Sequence, residues 1–105
     1  MADRKAQLQK LLEREPNDPF LLYGLALEHK KSNEPQQALD LLDQVIAIDP
    51  LYCYAYFQSG QIKAATGDIS GAKAILERGA AAAVKKMDAK AQSELLGALE
   101  ELNSR

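Results

Sequence analysis

The chain has one histidine, His29, and one cysteine, Cys53, and these two side chains are the pair that could carry out nucleophilic chemistry. A thiolate is activated when a neighbouring imidazole takes its proton, so the two side chains would have to meet in the folded protein. The two residues fall at opposite ends of two different predicted helices. We therefore predict that the protein is not an enzyme and has no catalytic residues.

Metal, cofactor and disulfide sites are not indicated by the residues either. A lone cysteine excludes an internal disulfide and argues against a thiolate metal site. The six glycines are scattered, and no phosphate loop of the form G-x-x-x-x-G-K-[ST] occurs. Carboxylates such as Glu13, Asp40 and Glu100 lie on polar helix faces that are typical of solvated surface. We predict no metal site and no cofactor.

Composition and charge exclude several classes of partner. The formal net charge is -2 and the sequence pI about 5.4, so the chain has no bulk attraction for nucleic acid or anionic membranes. The pairs Lys30-Lys31 and Lys85-Lys86 lie near predicted helix C-termini, where the macrodipole favours cations, although a local binding role stays open. No apolar signal segment and no run of about 18 apolar residues is present. We expect a cytoplasmic protein.

The elements that must position any site are helices. Aromatic residues make up 6% of the chain, and the abundance of alanine and leucine favours helices over strands. Asp3, Asp18, Ser70 and Asp88 are predicted N-caps, and Gly67 is a predicted left-handed C-cap. Six helices are predicted, over about Asp3 to Glu15, Pro19 to Lys31, Pro35 to Ile48, Leu51 or Cys53 to Thr66, Gly71 to Lys86, and Asp88 to Leu102.

The helices repeat with a fixed period. Pro16 and Pro50 each end an apolar helical pattern, and their spacing of about 34 residues is the period of tetratricopeptide repeats. The chain resembles that family at ten positions of its pattern of large and small residues: Leu22, Leu25, Ala26, Ala38, Leu42 and Pro50 in a first repeat, and Tyr56, Gly60, Ala72 and Leu76 in a second. The resemblance implies an all-α fold of antiparallel helical hairpins, a right-handed α-solenoid of about six helices.

The second repeat departs from the family pattern more than the first. In the first repeat, Val45 stands where alanine is usual. In the second repeat, Gly79 stands where alanine is usual, Ser59 where leucine is usual, and Val84 where proline is usual. The missing proline predicts a longer fifth helix or a changed angle into the sixth, and Gly79 costs roughly 1 kcal/mol of helix propensity unless it permits close packing. The resemblance implies one domain over 1–105, with an N-terminal helix (1–16), repeats at 19–52 and 53–86, and a C-terminal capping helix (88–103).

The resemblance also implies a binding face, because the first helix of each hairpin lines a concave groove in such arrays. Gly24 falls in that groove, and the positions with larger side chains are Phe20, Tyr23, Leu27 and Lys30 in the first repeat and Tyr54, Phe57, Gln58 and Gln61 in the second. The second set also lies three or four residues apart, on one helix face. Aromatic rings offer contact area and amides can bond a peptide backbone, so we predict a protein–protein interaction module that binds a peptide segment of a partner.

One alternative function stays open, and one kind of binding site known in the family is not predicted. The aromatic side chains could instead be covered by the first or last helix, or packed in a homodimer, which would make the chain a structural homo-oligomerisation module with its groove occupied by self-association. A clamp for a C-terminal carboxylate, as in the heat-shock chaperone-binding members of the family, is not predicted. The matching positions carry no cation and include one acidic side chain: Tyr23, Leu27, Gln58, Asp88 and Gln92.

Overall fold

The computed structural model describes residues 3–105, which form six α-helices and no β-strand. The predicted all-α fold class is therefore confirmed. The helices are α1 (Arg4–Arg14), α2 (Pro19–Lys31), α3 (Pro35–Ile48), α4 (Cys53–Ala65), α5 (Ile69–Lys86) and α6 (Ala89–Asn103). They form two compact units, the first ending at Asp49 and the second beginning at Pro50, and each contains three helices.

Local side-chain chemistry fixes most helix starts. Asp3 Oδ1 accepts a hydrogen bond from the Lys5 amide at 3.0 Å, and Asp18 Oδ1 accepts one from the Phe20 amide at 2.9 Å. Pro19 follows Asp18 as the first residue of α2, where its missing N–H leaves no backbone donor unpaired. These two caps and the Asp88 cap of α6 were predicted and are confirmed.

One predicted cap is wrong. Ser70 does not cap α5, because Asp68 does so, its Oδ1 accepting from the Gly71 amide at 3.0 Å. The helix consequently begins at Ile69, two residues before the predicted start. Asp68 and Ser70 are both residue types that form N-caps, and they stand two positions apart. The carboxylate of Asp68 is a stronger acceptor than the hydroxyl of Ser70, and it forms the cap.

In the first unit, α2 packs against both α1 and α3. Leu8 of α1 is buried with Leu21 and Leu25 of α2, and Leu12 and Leu41 pack against this cluster. Leu11 of α1 is 48% exposed instead. The small residues Ala26 of α2 and Ala38 of α3 are both buried, so they permit close approach of the two helices within the hairpin.

A polar cluster ties α1 to the turn between α2 and α3. Lys5 Nζ donates to Glu34 Oε1 at 2.7 Å and to Ser32 Oγ at 3.2 Å. His29 Nδ1 lies 3.0 Å from the same Glu34 oxygen. The hydrogen bond from Lys5 is the largest cause that holds the pKa of the Glu34 carboxyl below its ordinary value, and the hydrogen bond from His29 is the next.

In the second unit, α5 packs against α4 on one side and α6 on the other. A Cβ built on Gly60 would lie 2.6 Å from Leu76 Cγ, so this glycine permits close approach of α4 and α5. Helix α5 has 18 residues and passes through Val84, confirming the longer helix that the missing proline predicts. Leu95 and Leu102 of α6 are buried, whereas Leu96 is 45% exposed.

No helix in residues 3–105 is long and apolar enough to cross a membrane.

Candidate functional site

The predicted binding residues of the first unit form one stripe along α2. Phe20, at the start of the helix, is 68% exposed, and Lys30, near its end, is also exposed. Tyr23 and Leu27 between them are half-buried. Gly24 is not part of an open surface, because a Cβ built on it would lie 3.5 Å from Leu8 Cδ2 of α1. Helix α1 thus covers one of the family's groove positions.

The predicted aromatic residues of the second unit form a packed pair on α4. The rings of Tyr54 and Phe57 lie edge to face, with centroids 6.4 Å apart and an interplanar angle of 75°. The Tyr54 hydroxyl donates to Glu94 Oε1 of α6 at 3.3 Å. Burial raises the pKa of Tyr54, and the negative charge of Glu94 raises it further, so the phenol stays protonated as a donor.

Gln61 lines a cavity of about 250 Å³ within the second unit. Small side chains of α4 and α6 form much of its wall, and Glu101 and Arg105 are charged residues at the cavity, with Glu101 Oε1 lying 3.7 Å from Arg105 Nη2. The lining comprises Gly60, Gln61, Ala64, Ala65, Leu76, Ala98, Glu101, Leu102 and Arg105. Gln61 itself is exposed, so its amide is accessible to a ligand.

The α4/α6 face is the surface defined by the Tyr54–Phe57 pair, Glu94 and this cavity. Along α4 it follows positions 54, 57, 61 and 64, and along α6 positions 94, 98 and 101, so both stripes have helical spacing, and Arg105 lies just beyond the end of α6. The sequence prediction does not include the α6 half of this face, because it assigns that helix the role of a cap for the array. The helical spacing of Glu94, Ala98 and Glu101 is the pattern that could have identified α6 as the second side of this face.

Side chains that could have done chemistry have structural roles instead. His29 belongs to the Lys5–Glu34 cluster at the C-terminal end of α2. Cys53 is buried at the start of α4, with its Sγ 3.4 Å from the Leu51 carbonyl oxygen. Asp88, one of the positions expected to repel a carboxylate, caps α6 by accepting from the Ala91 amide. In residues 3–105 no three His, Cys, Asp or Glu side chains come together in a way that could hold a metal ion.

Comparison with known proteins agrees with this architecture. A tetratricopeptide repeat family model matches residues 29–99. A TPR repeat-containing protein of Pseudomonas aeruginosa is 27% identical over 96 residues, which cover 91% of each chain. The solution structure of a tetratricopeptide repeat domain protein from Salinibacter ruber is similar with a TM-score of 0.80 and 29% identity, covering 85% of this chain and 90% of that one.

A more distant structure shares the fold alone. The crystal structure of PcrH in complex with the chaperone binding region of PopD has a TM-score of 0.88 at 19% identity, covering 96% of this chain and 77% of that one. The family model spans more than half of the present sequence. The chain therefore belongs to the tetratricopeptide repeat family, which is generally a non-enzymatic protein-interaction fold.

Proposed function

We propose that the protein recruits a partner by binding a peptide segment of it on the α4/α6 face. The observation that carries the proposal is that Gln61, on the same helix face as the Tyr54–Phe57 pair, lines a cavity of about 250 Å³. An aromatic surface beside a recess with small walls and an accessible amide is what a peptide with one anchoring side chain requires.

The aromatic pair supplies contact area at low entropic cost. The Tyr54 ring is held by its hydrogen bond to Glu94 and by its edge-to-face contact with Phe57, so little side-chain freedom is lost when a ligand covers it. Preorganised aromatic side chains of this kind are typical of residues that dominate binding energy. We therefore assign Tyr54 and Phe57 the role of the main apolar contact.

The cavity accepts the anchoring side chain. Ala64, Ala65 and Ala98 leave space between the two helices, and Leu76 and Leu102 add an apolar lining. Gln61 can donate and accept hydrogen bonds to the peptide backbone at the cavity. An aliphatic anchor in the partner peptide matches this lining. Gln58, half-buried on α4, belongs to the proposed contact set as a second amide.

In the first unit, we propose that the α2 stripe is a further contact surface for the same class of partner. Phe20 offers an exposed ring, Tyr23 and Leu27 add half-buried apolar surface, and Lys30 adds a positive charge. The proposal also keeps the division into repeats 19–52 and 53–86 with flanking helices, and a cytoplasmic location among protein partners. PcrH, which shares the fold, binds a segment of PopD, and this supports a peptide as the ligand class.

A cavity-filling substitution tests the proposal. Peptides are selected from a random display library on the wild-type protein, and their dissociation constants are then measured against Ala98→Leu and Phe57→Ala. We expect each variant to weaken binding at least about tenfold, because each removes a main contact or fills the anchor site. Ala89→Leu, which adds the same side chain at an exposed position outside the cavity, is the control and should bind normally. Equal binding by all variants would contradict the proposal.

Self-association is the second candidate, and the exposure of the Phe20 ring is the observation that favours it. Light scattering on the wild type, Phe20→Ala and Phe57→Ala distinguishes the two. A monomer in all three cases leaves the aromatic surfaces available for a partner. A wild-type dimer that either substitution dissociates would mean that a second copy of the chain already occupies them.

A further inference from the structure

A second cavity, of about 220 Å³, lies in the second unit and shares no residue with the first one. Helix α5, Tyr56 of α4 and the segment before α4 form it. Its lining comprises Pro50, Leu51, Tyr56, Arg78, Ala81, Ala82 and Lys85. We call it the α5 cavity. It combines apolar walls with two cations and contains no acidic side chain.

Arg78 is held against an aromatic ring, and neither of the two cations has a carboxylate partner among residues 3–105. The Arg78 guanidinium carbon lies 5.6 Å from the centroid of the Tyr56 ring, and the Tyr56 hydroxyl donates to the Pro50 carbonyl oxygen at 2.7 Å. Lys85 follows seven residues later on the same helix face, about 10 Å along the axis. Among residues 3–105 neither Arg78 nor Lys85 forms an ion pair.

The helix macrodipole explains only part of this charge. Lys85 and Lys86 lie in the last turn of α5, where cations interact favourably with the exposed carbonyl groups. Arg78 lies in the middle of the helix, where the dipole offers nothing. Arg78 is exposed at the cavity, above an aromatic ring and without a carboxylate partner, so its charge is available to an anionic group from outside the chain.

We infer that the α5 cavity binds an acidic peptide segment in which a carboxylate side chain neighbours an aliphatic one. The carboxylate pairs with Arg78 and Lys85, since charge-assisted hydrogen bonds from arginine favour planar oxygen pairs. The aliphatic side chain enters the recess between Tyr56, Ala81 and Ala82. Free phosphate would leave the apolar walls of Pro50 and Leu51 uncovered, so a peptide satisfies the site better than an inorganic anion.

This site is separate from the α4/α6 face, so either can fail without the other. Its test uses a synthetic peptide of alternating glutamate and leucine as the probe, and a lysine–leucine peptide of the same length as the opposite-charge control. The probe is titrated at low ionic strength into the isotope-labelled protein and followed by amide chemical shifts. We expect saturable shifts at residues 78 to 85 and around Pro50, with none from the control peptide.

Charge-neutral variants test the assignment to residues. Arg78→Gln and Lys85→Gln keep much of the aliphatic stem and remove the charge, and each should raise the dissociation constant about tenfold, as expected for one charge-assisted contact. Lys86→Gln changes the net charge equally, on a residue that does not line the cavity, and should change binding less than twofold. Equal weakening by all three variants would overturn the proposal, because binding would then follow net charge alone.

Three further outcomes would also overturn it. Shifts confined to helices other than α5 would place the acidic probe elsewhere, and an unsaturated response at millimolar probe would mean that no site exists. The chain's own acidic helix α3, with Asp40 and Asp43 exposed, is another source of carboxylates. If light scattering shows a wild-type dimer that Arg78→Gln dissociates, the occupant is a second copy and not a partner peptide.

Discussion

Gly79 of α5 lies against Tyr56 of α4 so closely that a Cβ added to the glycine would be 2.5 Å from the Tyr56 Cβ. The same added atom would lie 2.9 Å from Leu95 Cδ2 of α6. The backbone of α5 at this point therefore contacts side chains of both neighbouring helices. Family members usually carry alanine at this position, and the glycine here allows α5 to pack more closely against α4.

Gly79→Ala should therefore destabilise the protein, although alanine is the better helix former. The gain in helix propensity is about 1 kcal/mol, whereas overpacking against Tyr56 and Leu95 costs about 1–3 kcal/mol. We expect a net loss in the free energy of unfolding, measured by urea denaturation. Gly97→Ala is the control, because nothing lies within 4 Å of its added Cβ. That variant should gain roughly 0.5–1 kcal/mol, and a gain for Gly79→Ala as well would contradict the close contact of α5 with Tyr56.

Ser59 is fully buried, and its hydroxyl oxygen has no hydrogen-bond partner among residues 3–105. A buried polar atom without a partner loses its hydration and recovers nothing. We expect Ser59→Ala to raise the free energy of unfolding by about 1–2 kcal/mol, from removal of that penalty and from better helix propensity. Ser93→Ala, at an exposed position of α6, measures the propensity gain alone. If the two variants gain equally, the Ser59 hydroxyl is satisfied in solution.

Helix positions could be predicted closely from the sequence because their determinants are local. The Asp18-Pro19 start of α2 and the left-handed Gly67 after α4 follow from the conformational preferences of single residues. Met87 ends α5 with the same left-handed backbone, at φ 60°, and side-chain type gave no signal for it. Helix α5 stops there because Asp88 begins the next helix, and the connecting residue must take the turn.

The candidate site could be predicted only in part. Spacing along α4 placed Tyr54 and Gln61 on one face, which is a property of a single helix. That Gln61 lines a cavity with Ala98 and Glu101 depends on the register between α4 and α6, which no local pattern specifies. For Gly24, the sequence predicts the position on α2 correctly but not the cover by Leu8, because that packing depends on where α1 lies.

The Lys5–Glu34 pair predicts a pH dependence of stability. The lowered pKa of Glu34 means that the folded state favours the carboxylate, so the stabilisation is present above the ordinary value of 4.5 and is lost as pH falls through the folded-state pKa. The difference in free energy of unfolding between wild type and Glu34→Gln should therefore shrink on acidification. Glu13→Gln, at an exposed position of α1, is the control and should show no such trend.

The cause of the shift can be checked directly. Lys5 supplies the first of the contributions that lower the Glu34 pKa, ahead of His29. Lys5→Met should therefore raise the Glu34 pKa toward its ordinary value, measured from the side-chain carboxyl carbon resonance. An unchanged pKa in Lys5→Met would show that the 2.7 Å contact between Lys5 Nζ and Glu34 Oε1 does not persist in solution.

Tyr54 offers a test of the α4/α6 face that needs no partner. Burial is the largest cause of its raised pKa and Glu94 the next, so the phenol should titrate above its ordinary value of 10.0. Glu94→Gln removes the negative charge and should lower the Tyr54 pKa, though not fully to that value, because burial persists. The ring carbon that bears the hydroxyl reports this titration by NMR. Glu100→Gln, on an exposed position of α6, should leave it unchanged.

The same shift fixes the direction of the alkaline response. Because the folded state holds the Tyr54 proton more tightly, this contribution to stability is complete below 10.0 and is lost as pH rises through the folded-state pKa. Wild type should therefore lose more stability at alkaline pH than Tyr54→Phe, which has no proton to release there. If the two proteins lose stability in parallel, the Tyr54 hydroxyl is solvated and α4 and α6 do not meet at Glu94. The α4/α6 face would then lack the contact between Tyr54 and Glu94 on which the proposed peptide site depends.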